Sequence, residues 1–174
     1  LMRAVEQETG NEVDRLTHID RTPNDLLAKL EAIRIICRET GCAQRYLVHD
    51  ALNGLYQATT RCDAELGTRY FERFRAFLLE TQANGFNYGI AMTDAKGDRT
   101  RRPHEQQIED AYLRVVEERP DGIVISGTKA IVTGAPYVHG FLVMPGRAMT
   151  PEDGPFAVCC AVPVDAPGVT IVCR

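Results

Sequence analysis

Apolar residues recur every three or four positions through the first half of the chain, and short apolar runs between turn residues replace them in the last third. The first helical stretch follows Thr22 and Pro23 and runs to Gly41. Threonine before proline is typical of a helix start and glycine of a helix end, so a helix is predicted between them. Its spacing predicts one buried face, made by Leu26, Leu27, Leu30, Ile33, Ile36 and Cys37.

Two further helices are predicted before residue 86. One spans about 43–65, and Gly67 and Thr68 are expected to end it and to cap the next helix. The third helix ends near Gly85, and its apolar face contains Phe71, Phe74, Phe77 and Leu78. Short connections predict that the three helices are antiparallel neighbours. Residues 1–21 are polar and weakly patterned, and no element is predicted there.

The pattern changes to β-strand from Gly122 onward. Residues 123–125 and 128–133 flank Ser126 and Gly127 and predict a hairpin. Further strands are predicted at 141–144, 156–164 and 169–173, and residues 106–117 are interpreted as a short helix or an extended segment. The chain is therefore predicted as α+β, with an antiparallel helical half (1–103) followed by an antiparallel β half (104–174).

We expect the sequence to be a piece of a longer protein, for two reasons. It begins with Leu1, which is not an initiator methionine. Its last predicted strand ends at the last residue, which leaves a sheet edge without a partner.

Composition narrows the class of protein. The net charge of −4 gives no basic field for nucleic acid. The chain contains no apolar run near the roughly 20 residues that span a membrane, and no signal-peptide pattern at its start. Six cysteines lack zinc or disulfide spacing, which favours reduced thiols in a cytoplasmic protein. Rossmann, P-loop and zinc-protease motifs are absent, and His18 and His104 are interpreted as structural residues.

A polar turn between the halves is the strongest candidate for a ligand site. It contains Met92, Thr93, Asp94, Lys96, Gly97, Asp98 and Arg99. A turn with glycine, hydroxyl and both signs of charge can hold a polar ligand through side chains and backbone N–H groups. The alternative is a solvated connection. Thr133 and Gly134 follow a strand and form a second candidate, with an ordinary turn as the alternative.

Arg45 and His49 are four residues apart and are predicted to lie on one face of the second helix. A cation beside an imidazole can bind a phenolate or carboxylate and transfer a proton. The alternative is a surface pair on an amphipathic helix.

These segments together resemble the flavoprotein family of 4-hydroxyphenylacetate 3-monooxygenase and 4-hydroxybutyryl-CoA dehydratase. The resemblance extends from about His18 to the end of the chain, and its most specific segment is 91–99. Residues 110–117, 121–130, 133–134 and 161–168 also match the family. The resemblance implies that Thr133, Gly134 and the turn from Met92 to Arg99 contact FAD.

The resemblance also implies a larger molecule. Members have a helical N-terminal domain, a β-barrel-like middle domain and a C-terminal helical bundle, similar to acyl-CoA dehydrogenases, and often form tetramers. By that comparison this chain is truncated within the middle domain.

One departure separates the two branches of the family. The dehydratase holds an iron–sulfur cluster through a C-x-x-x-C run, and here that run begins with Cys42 and ends with Tyr46. A phenol is a poor ligand for this soft site, so no cluster and no other metal is expected.

The resemblance therefore implies a two-component monooxygenase that ortho-hydroxylates a phenol with O₂ and with reduced FAD from a partner reductase. Arg45 would bind the phenolate and His49 would act as base. The turn is more similar to the CoA branch, so an acyl-CoA substrate with dehydratase or isomerase chemistry, or a non-catalytic relative, remains the alternative.

Overall fold

The computed structural model describes residues 1–42 and 47–173 and divides the chain into two compact units, Leu1–Asn87 and Tyr88–Arg174. The predicted domain boundary after residue 103 lies inside the second unit. The reason is that the apolar segment before the polar turn is a strand, and it pairs with a strand near residue 140. The two units are described separately below.

The first 21 residues are ordered, contrary to the sequence interpretation. Strands β1 (Arg3–Val5) and β2 (Glu12–Asp14) form an antiparallel hairpin with Ala4 opposite Val13. A 3-10 turn follows at Arg15–Thr17. Leu16 and Ile19 are among the most buried residues of the unit, and His18 is only 2% exposed. Each element here has three residues, which is too short for a periodic pattern.

Helix α1 spans Pro23–Thr40, and its predicted ends are confirmed. The Thr22 side chain accepts from the N–H of Asp25, and Gly41 ends the helix with a φ of 70°. The predicted buried face is wrong, because Leu26, Leu27 and Leu30 are between 45% and 63% exposed. The buried residues of α1 are Lys29 and Ala32.

Helices α2 (Leu47–Leu66) and α3 (Tyr70–Asn84) pack against each other. Gly85 ends α3 as predicted. Thr68 is not the N-terminal cap. The carboxylate of Asp63 instead accepts from the N–H groups of Tyr70 and Phe71, at 2.8 and 2.9 Å. The side chain that satisfies the start of α3 therefore comes from the preceding helix.

The central sheet of the second unit has the order β3–β6–β7. Its strands are β3 (Tyr88–Ala91), β6 (Gly140–Val143) and β7 (Cys160–Pro163). β3 and β6 run parallel and β6 and β7 antiparallel, so the prediction of a wholly antiparallel half is wrong. Ala91, Phe141, Val143 and Val158 form the core over this sheet.

The hairpin predicted between residues 123–125 and 128–133 is wrong, because the first of these segments pairs with a different strand. β5 (Gly122–Ser126) pairs with the preceding β4 (Arg114–Arg119), because Pro120 and Asp121 form the turn. The strand predicted at 156–164 is confined to β7, and residues 169–173 contain no strand. Within 1–42 and 47–173 the strands form three small sheets and not a closed barrel. None of the helices in that part of the chain is long and apolar enough to cross a membrane.

Candidate functional site

The polar turn leaves β3 at Ala91 and is fixed by the buried ammonium of Lys129. Lys129 Nζ donates to Asp94 Oδ1 at 2.5 Å. It also donates to the backbone oxygens of Met92 and Met144, at 3.1 and 2.9 Å. All three donors of the ammonium group are thus used, and the charge of Asp94 is neutralised.

Two close approaches define the rest of the turn. A Cβ on Gly146 would lie 2.8 Å from Asp94 Oδ2 and 2.9 Å from Met92 O, so only glycine fits there. The Gln106 side chain accepts from Asp98 N at 3.0 Å and donates to Asp98 O at 2.8 Å. Asp98 therefore stabilises the turn from within and does not line the cavity beside it.

That cavity has a volume of about 320 Å³ and is bounded by the turn, by Tyr112 and by the segment after β6. Most of the predicted turn residues line it, together with two that sequence reasoning missed, Tyr112 and Arg147. The lining residues are Met92, Thr93, Asp94, Ala95, Lys96, Arg99, Tyr112, Gly146 and Arg147. Nothing in the local pattern around Tyr112 or Arg147 indicates this role, because both come from distant parts of the chain.

Thr133 and Gly134 do not line this cavity. They lie in an exposed turn that ends in a 3-10 segment, Ala135–Tyr137, and Gly134 has a φ of 73°. Ile131, two residues before Thr133, has a φ of 56°, which is rare for a β-branched side chain. The segment that leads to Thr133 is bonded to the 92–99 turn, because Ala130 N donates to Thr93 O at 2.8 Å. The roles of Thr133 and Gly134 stay predictions.

The buried carboxylate of Asp153 stabilises the region beside the cavity through hydrogen bonds. Asp153 is 0% exposed and accepts from the Arg102 guanidinium, from His104 Nδ1 at 2.7 Å and from Thr150 Oγ1 at 3.1 Å. Burial alone raises the pKa of the Asp153 carboxyl, but these hydrogen bonds outweigh it and hold the pKa well below its usual range. His104 is thus a hydrogen-bond partner of Asp153, which agrees with its interpretation as a structural residue, and its side chain remains 34% exposed.

His49 lies in a buried charged cluster of the first unit and is not on its surface. The side chain is 1% exposed, with Nε2 3.2 Å from Asp20 Oδ1 and Nδ1 3.1 Å from Lys29 Nζ. Because an ammonium only donates, Nδ1 accepts and the proton sits on Nε2. Burial lowers the pKa of His49, Asp20 opposes this and Lys29 adds to it. The imidazole is therefore neutral near pH 7.

Arg45 and Tyr46 lie outside the described residues, so their predicted roles stay predictions. Cys42 is described and exposed. No group of three or more His, Cys, Asp or Glu side chains within 1–42 and 47–173 is placed to hold a metal ion.

Comparison with known proteins gives one family over the whole chain. The model of the 4-hydroxyphenylacetate 3-hydroxylase N-terminal region matches residues 1–174. The chain is 36% identical to the 4-hydroxybutyryl-CoA dehydratase/vinylacetyl-CoA-Delta-isomerase of Clostridium aminobutyricum, over 99% of this chain and 35% of that protein. It is 31% identical to an FADH2-dependent monooxygenase of Burkholderia cepacia, over 62% of this chain and 20% of that protein.

Two solved structures of this family's members resemble the chain. A 4-hydroxybutyryl-CoA dehydratase of the archaeon N. maritimus superposes with a TM-score of 0.92 at 36% identity, over 96% of this chain and 34% of that one. The oxygenase component of 4-hydroxyphenylacetate 3-monooxygenase, complexed with FAD, gives 0.77 at 22% identity, over the same shares of the two chains, and supports the fold alone. The chain spans about a third of the length of these relatives.

Proposed function

The chain belongs to the 4-hydroxyphenylacetate 3-hydroxylase family, and from this premise we propose that it forms part of a flavin-dependent oxidoreductase. The observation that best supports this is the turn at 92–99, which the resemblance assigns to flavin and which lines a cavity in the second unit. The whole protein is proposed to work in the cytoplasm.

The residues of the cavity fit one part of a flavin dinucleotide. About 320 Å³ is at the lower end of the range for small-molecule sites, roughly 300–1,000 Å³. Met92 and Tyr112 offer apolar surface, whereas Lys96 and Arg99 offer positive charge. Bound reduced FAD would supply the electrons for oxygen chemistry. We propose Thr133 and Gly134 as a second contact, through the threonine hydroxyl and the backbone.

The proposed reaction is ortho-hydroxylation of a phenol with O₂, with reduced FAD delivered by a partner reductase. Support comes from the similarity to an FADH2-dependent monooxygenase. Tyr46, at the position that the resemblance gives to a cluster cysteine, argues against the dehydratase reaction. Arg45 is proposed to bind the phenolate through its charge.

We propose His49 as the group that accepts the phenol proton. A base must be unprotonated at working pH, and the burial of His49 meets that condition. The free lone pair of the ring is on Nδ1, which accepts from Lys29 Nζ at 3.1 Å, so the Lys29 ammonium would turn away as Nδ1 takes the proton. Lys29 would keep its bond to Asp50 Oδ1, also 3.1 Å long, and Asp50 is 57% exposed.

The second candidate is a CoA-ester dehydratase or isomerase. The identity of 36% over nearly the whole chain to such an enzyme favours it. In either case we propose an acyl-CoA dehydrogenase-like architecture with a β-barrel-like middle domain, and assembly of the whole protein into a homotetramer.

The test uses the full-length protein with FAD. In the presence of O₂ and a flavin reductase, we expect a phenol to be converted to a catechol, measured by product chromatography. Under anaerobic conditions the same protein should not dehydrate 4-hydroxybutyryl-CoA. The reverse pattern would replace the monooxygenase with the second candidate, and no FAD binding would overturn the flavoenzyme proposal.

Arg45→Ala is expected to lower hydroxylation at least about 100-fold and to leave the FAD affinity within about twofold, because the loss concerns the substrate. Arg38→Ala, which removes another arginine of the first unit, is the matched control. Turnover that survives in Arg45→Ala would show that Arg45 is only a surface charge.

A further inference from the structure

The buried imidazole of His49 has a charged group on each side. Nε2 lies 3.2 Å from Asp20 Oδ1, and Nδ1 lies 3.1 Å from Lys29 Nζ. Asp20 comes from the segment before α1, Lys29 from α1 itself and His49 from the first turn of α2. Three segments of the first unit therefore meet at this ring, and the function proposed above gives no role to Asp20.

Asp20 and Lys29 select the same tautomer of the ring. A carboxylate only accepts and an ammonium only donates, so the N–H lies on Nε2 and the lone pair on Nδ1. The other tautomer would place a hydrogen on Nδ1 against the Lys29 ammonium and would leave the Asp20 carboxylate facing a lone pair. Asp50 Oδ1 is 3.5 Å from Nδ1 but accepts from the same ammonium at 3.1 Å, so it does not change this assignment.

Asp20 is held against the ring by Asn53, which lies one helical turn after His49. Asn53 Oδ1 accepts from the N–H of Asp20 at 2.9 Å, which fixes the orientation of the amide. Asn53 Nδ2 then donates to the backbone oxygens of His49 and His18, at 3.0 and 3.4 Å. Both of its hydrogens are used, so the 3.2 Å approach of Nδ2 to Nε2 is a contact and not a hydrogen bond. One side chain of α2 thus ties the segment of Asp20 to the helix of the imidazole.

The charged groups that face the ring within residues 1–42 and 47–173 are Asp20, Lys29 and Asp50. His18 is a further titratable neighbour of Asp20, with Nδ1 3.9 Å from Asp20 Oδ1. Because His49 and Lys29 are nearly buried, charges at these distances interact more strongly than in bulk water. When the ring takes up a proton, its positive charge is favoured by Asp20 and opposed by Lys29.

We propose that Asp20 is a positioning residue for His49. It holds the N–H on Nε2, so that Nδ1 carries the lone pair that takes the proton from the phenol oxygen. Its negative charge then offsets the positive charge that the ring gains, whereas Lys29 keeps the ring neutral beforehand. A carboxylate on one ring nitrogen and the reacting proton on the other is a general way to orient a histidine base. The proposal deepens the proposed function and rests on it for the identity of the proton donor.

The test uses the full-length protein and follows the ring directly. The hydrogen on Cε1 of an imidazole exchanges with solvent deuterium at a rate that depends on the protonation of the ring. Mass spectrometry of the His49 peptide against pH therefore gives its titration midpoint. The variants are Asp20→Asn and Lys29→Met, which each remove one charge and nearly keep the shape of the side chain. The controls are Glu31→Gln and Arg34→Met, which change an exposed ion pair of α1.

We expect opposite shifts from the two variants. Asp20→Asn should move the midpoint of His49 to lower pH and Lys29→Met to higher pH, each by about one pH unit, because a charge this close to a buried group shifts its pKa by that order. The controls should move the midpoint by less than about 0.3 pH units. Asp20→Glu keeps the charge and should stay within about half a pH unit of wild type. Circular dichroism checks that each variant is folded.

Hydroxylation of a phenol by the same proteins is the second measurement. The acid limb of the rate against pH should move with the midpoint in each variant. At pH 7, Asp20→Asn should lower kcat about tenfold or more and change KM for the phenol less than about twofold, because a weaker and less well oriented base transfers the proton more slowly.

Midpoints that stay in place, or that move in the same direction in both variants, would overturn the proposal, and hydroxylation by the wild type would still support the proposed function. Shifted midpoints with an unchanged rate profile would overturn it too, since Asp20 would then pack against a histidine that does not react. A wild-type protein that binds FAD and a phenol but forms no catechol would contradict the proposed function itself, and with it the role of His49 as base.

Discussion

At the scale of single residues, Asp153 is a buried carboxylate with several hydrogen-bond donors around it. It is fully buried and accepts from Arg102, His104 and Thr150. Buried charges are tolerated only when they are paired and hydrogen-bonded in this way. Because Arg102 also binds the backbone beside Arg147, the same carboxylate indirectly holds one wall of the cavity.

Asp153→Asn is expected to lower the free energy of unfolding by about 2–3 kcal/mol at pH 7, because it leaves Arg102 without its anionic partner. The folded-state pKa of Asp153 is below its usual range, so its contribution is present above about pH 4 and is lost as pH falls through the folded-state value. The difference from wild type should therefore shrink in acid.

Urea unfolding of both proteins between pH 7 and pH 3 measures this. Asp121→Asn, at the exposed turn between β4 and β5, serves as control and should match wild type throughout. A constant difference between Asp153→Asn and wild type across this range would contradict the ionic account.

The lowered pKa of His49 indicates that the stability of the first unit depends on pH. Its pKa is lowered in the folded protein, so the unfolded chain binds more protons in mild acid. Stability from this group is present above the ordinary histidine value of about 6.5 and is lost as pH falls below it. His49→Gln should flatten the slope of unfolding free energy against pH between about 5 and 7. An unchanged slope would show that His49 does not titrate differently on folding.

At the scale of elements, the sequence predicted those whose signals are local. The ends of α1 follow from Thr22, Pro23 and Gly41, each a side chain acting within its own turn. The start of α3 was wrong because its acceptor, Asp63, belongs to another helix. The β4–β5 pairing was missed because residues 106–117 were interpreted as a short helix or an extended segment, although Pro120, Asp121 and Gly122 are a strong turn signal.

The residues of the candidate site also differ in whether a local sequence signal predicts them. The 92–99 turn was recognised from a contiguous segment. Tyr112 and Arg147 were missed because only the folded chain brings them to the turn. The buried face of α1 was misassigned because periodicity identifies an apolar stripe but not what covers it.

The turn after β5 contains the one described non-glycine residue with a positive φ, Ile131, which is also 79% exposed. Such a conformation costs a β-branched residue about 1–2 kcal/mol. Ile131→Asn should therefore raise the free energy of unfolding by about 1 kcal/mol, since asparagine tolerates this region better.

Thermal unfolding measures the effect. The matched control is Ile123→Asn in β5, also an exposed isoleucine but with extended backbone, and it should destabilise the protein. If both variants destabilise to the same degree, Ile131 is held by contacts and not by strain.

At the scale of the whole molecule, the chain spans about a third of the length of the relatives that it matches. The Cys42 to Tyr46 run is the point at which the two branches are best distinguished. We predict that the full-length protein purified without oxygen contains no iron–sulfur cluster. Iron and labile sulfide assays should both give less than about 0.2 per subunit.

Tyr46→Cys, which restores the thiolate spacing, is the companion variant for the same assays. About four irons and four sulfides in the wild-type protein would contradict the prediction and favour the dehydratase.

The parallel pairing of β3 with β6 has a consequence for how the cavity forms. Tyr88 meets Gly140 across that pair, so about fifty residues must close into a loop before the two strands bond. The turn, Tyr112 and Lys129 all belong to this closed loop. Contacts so distant along the chain form slowly and late in folding. The cavity beside the 92–99 turn is thus expected to be among the last features that the second unit acquires, and amide protons in its walls should gain protection from exchange together with those of the sheet.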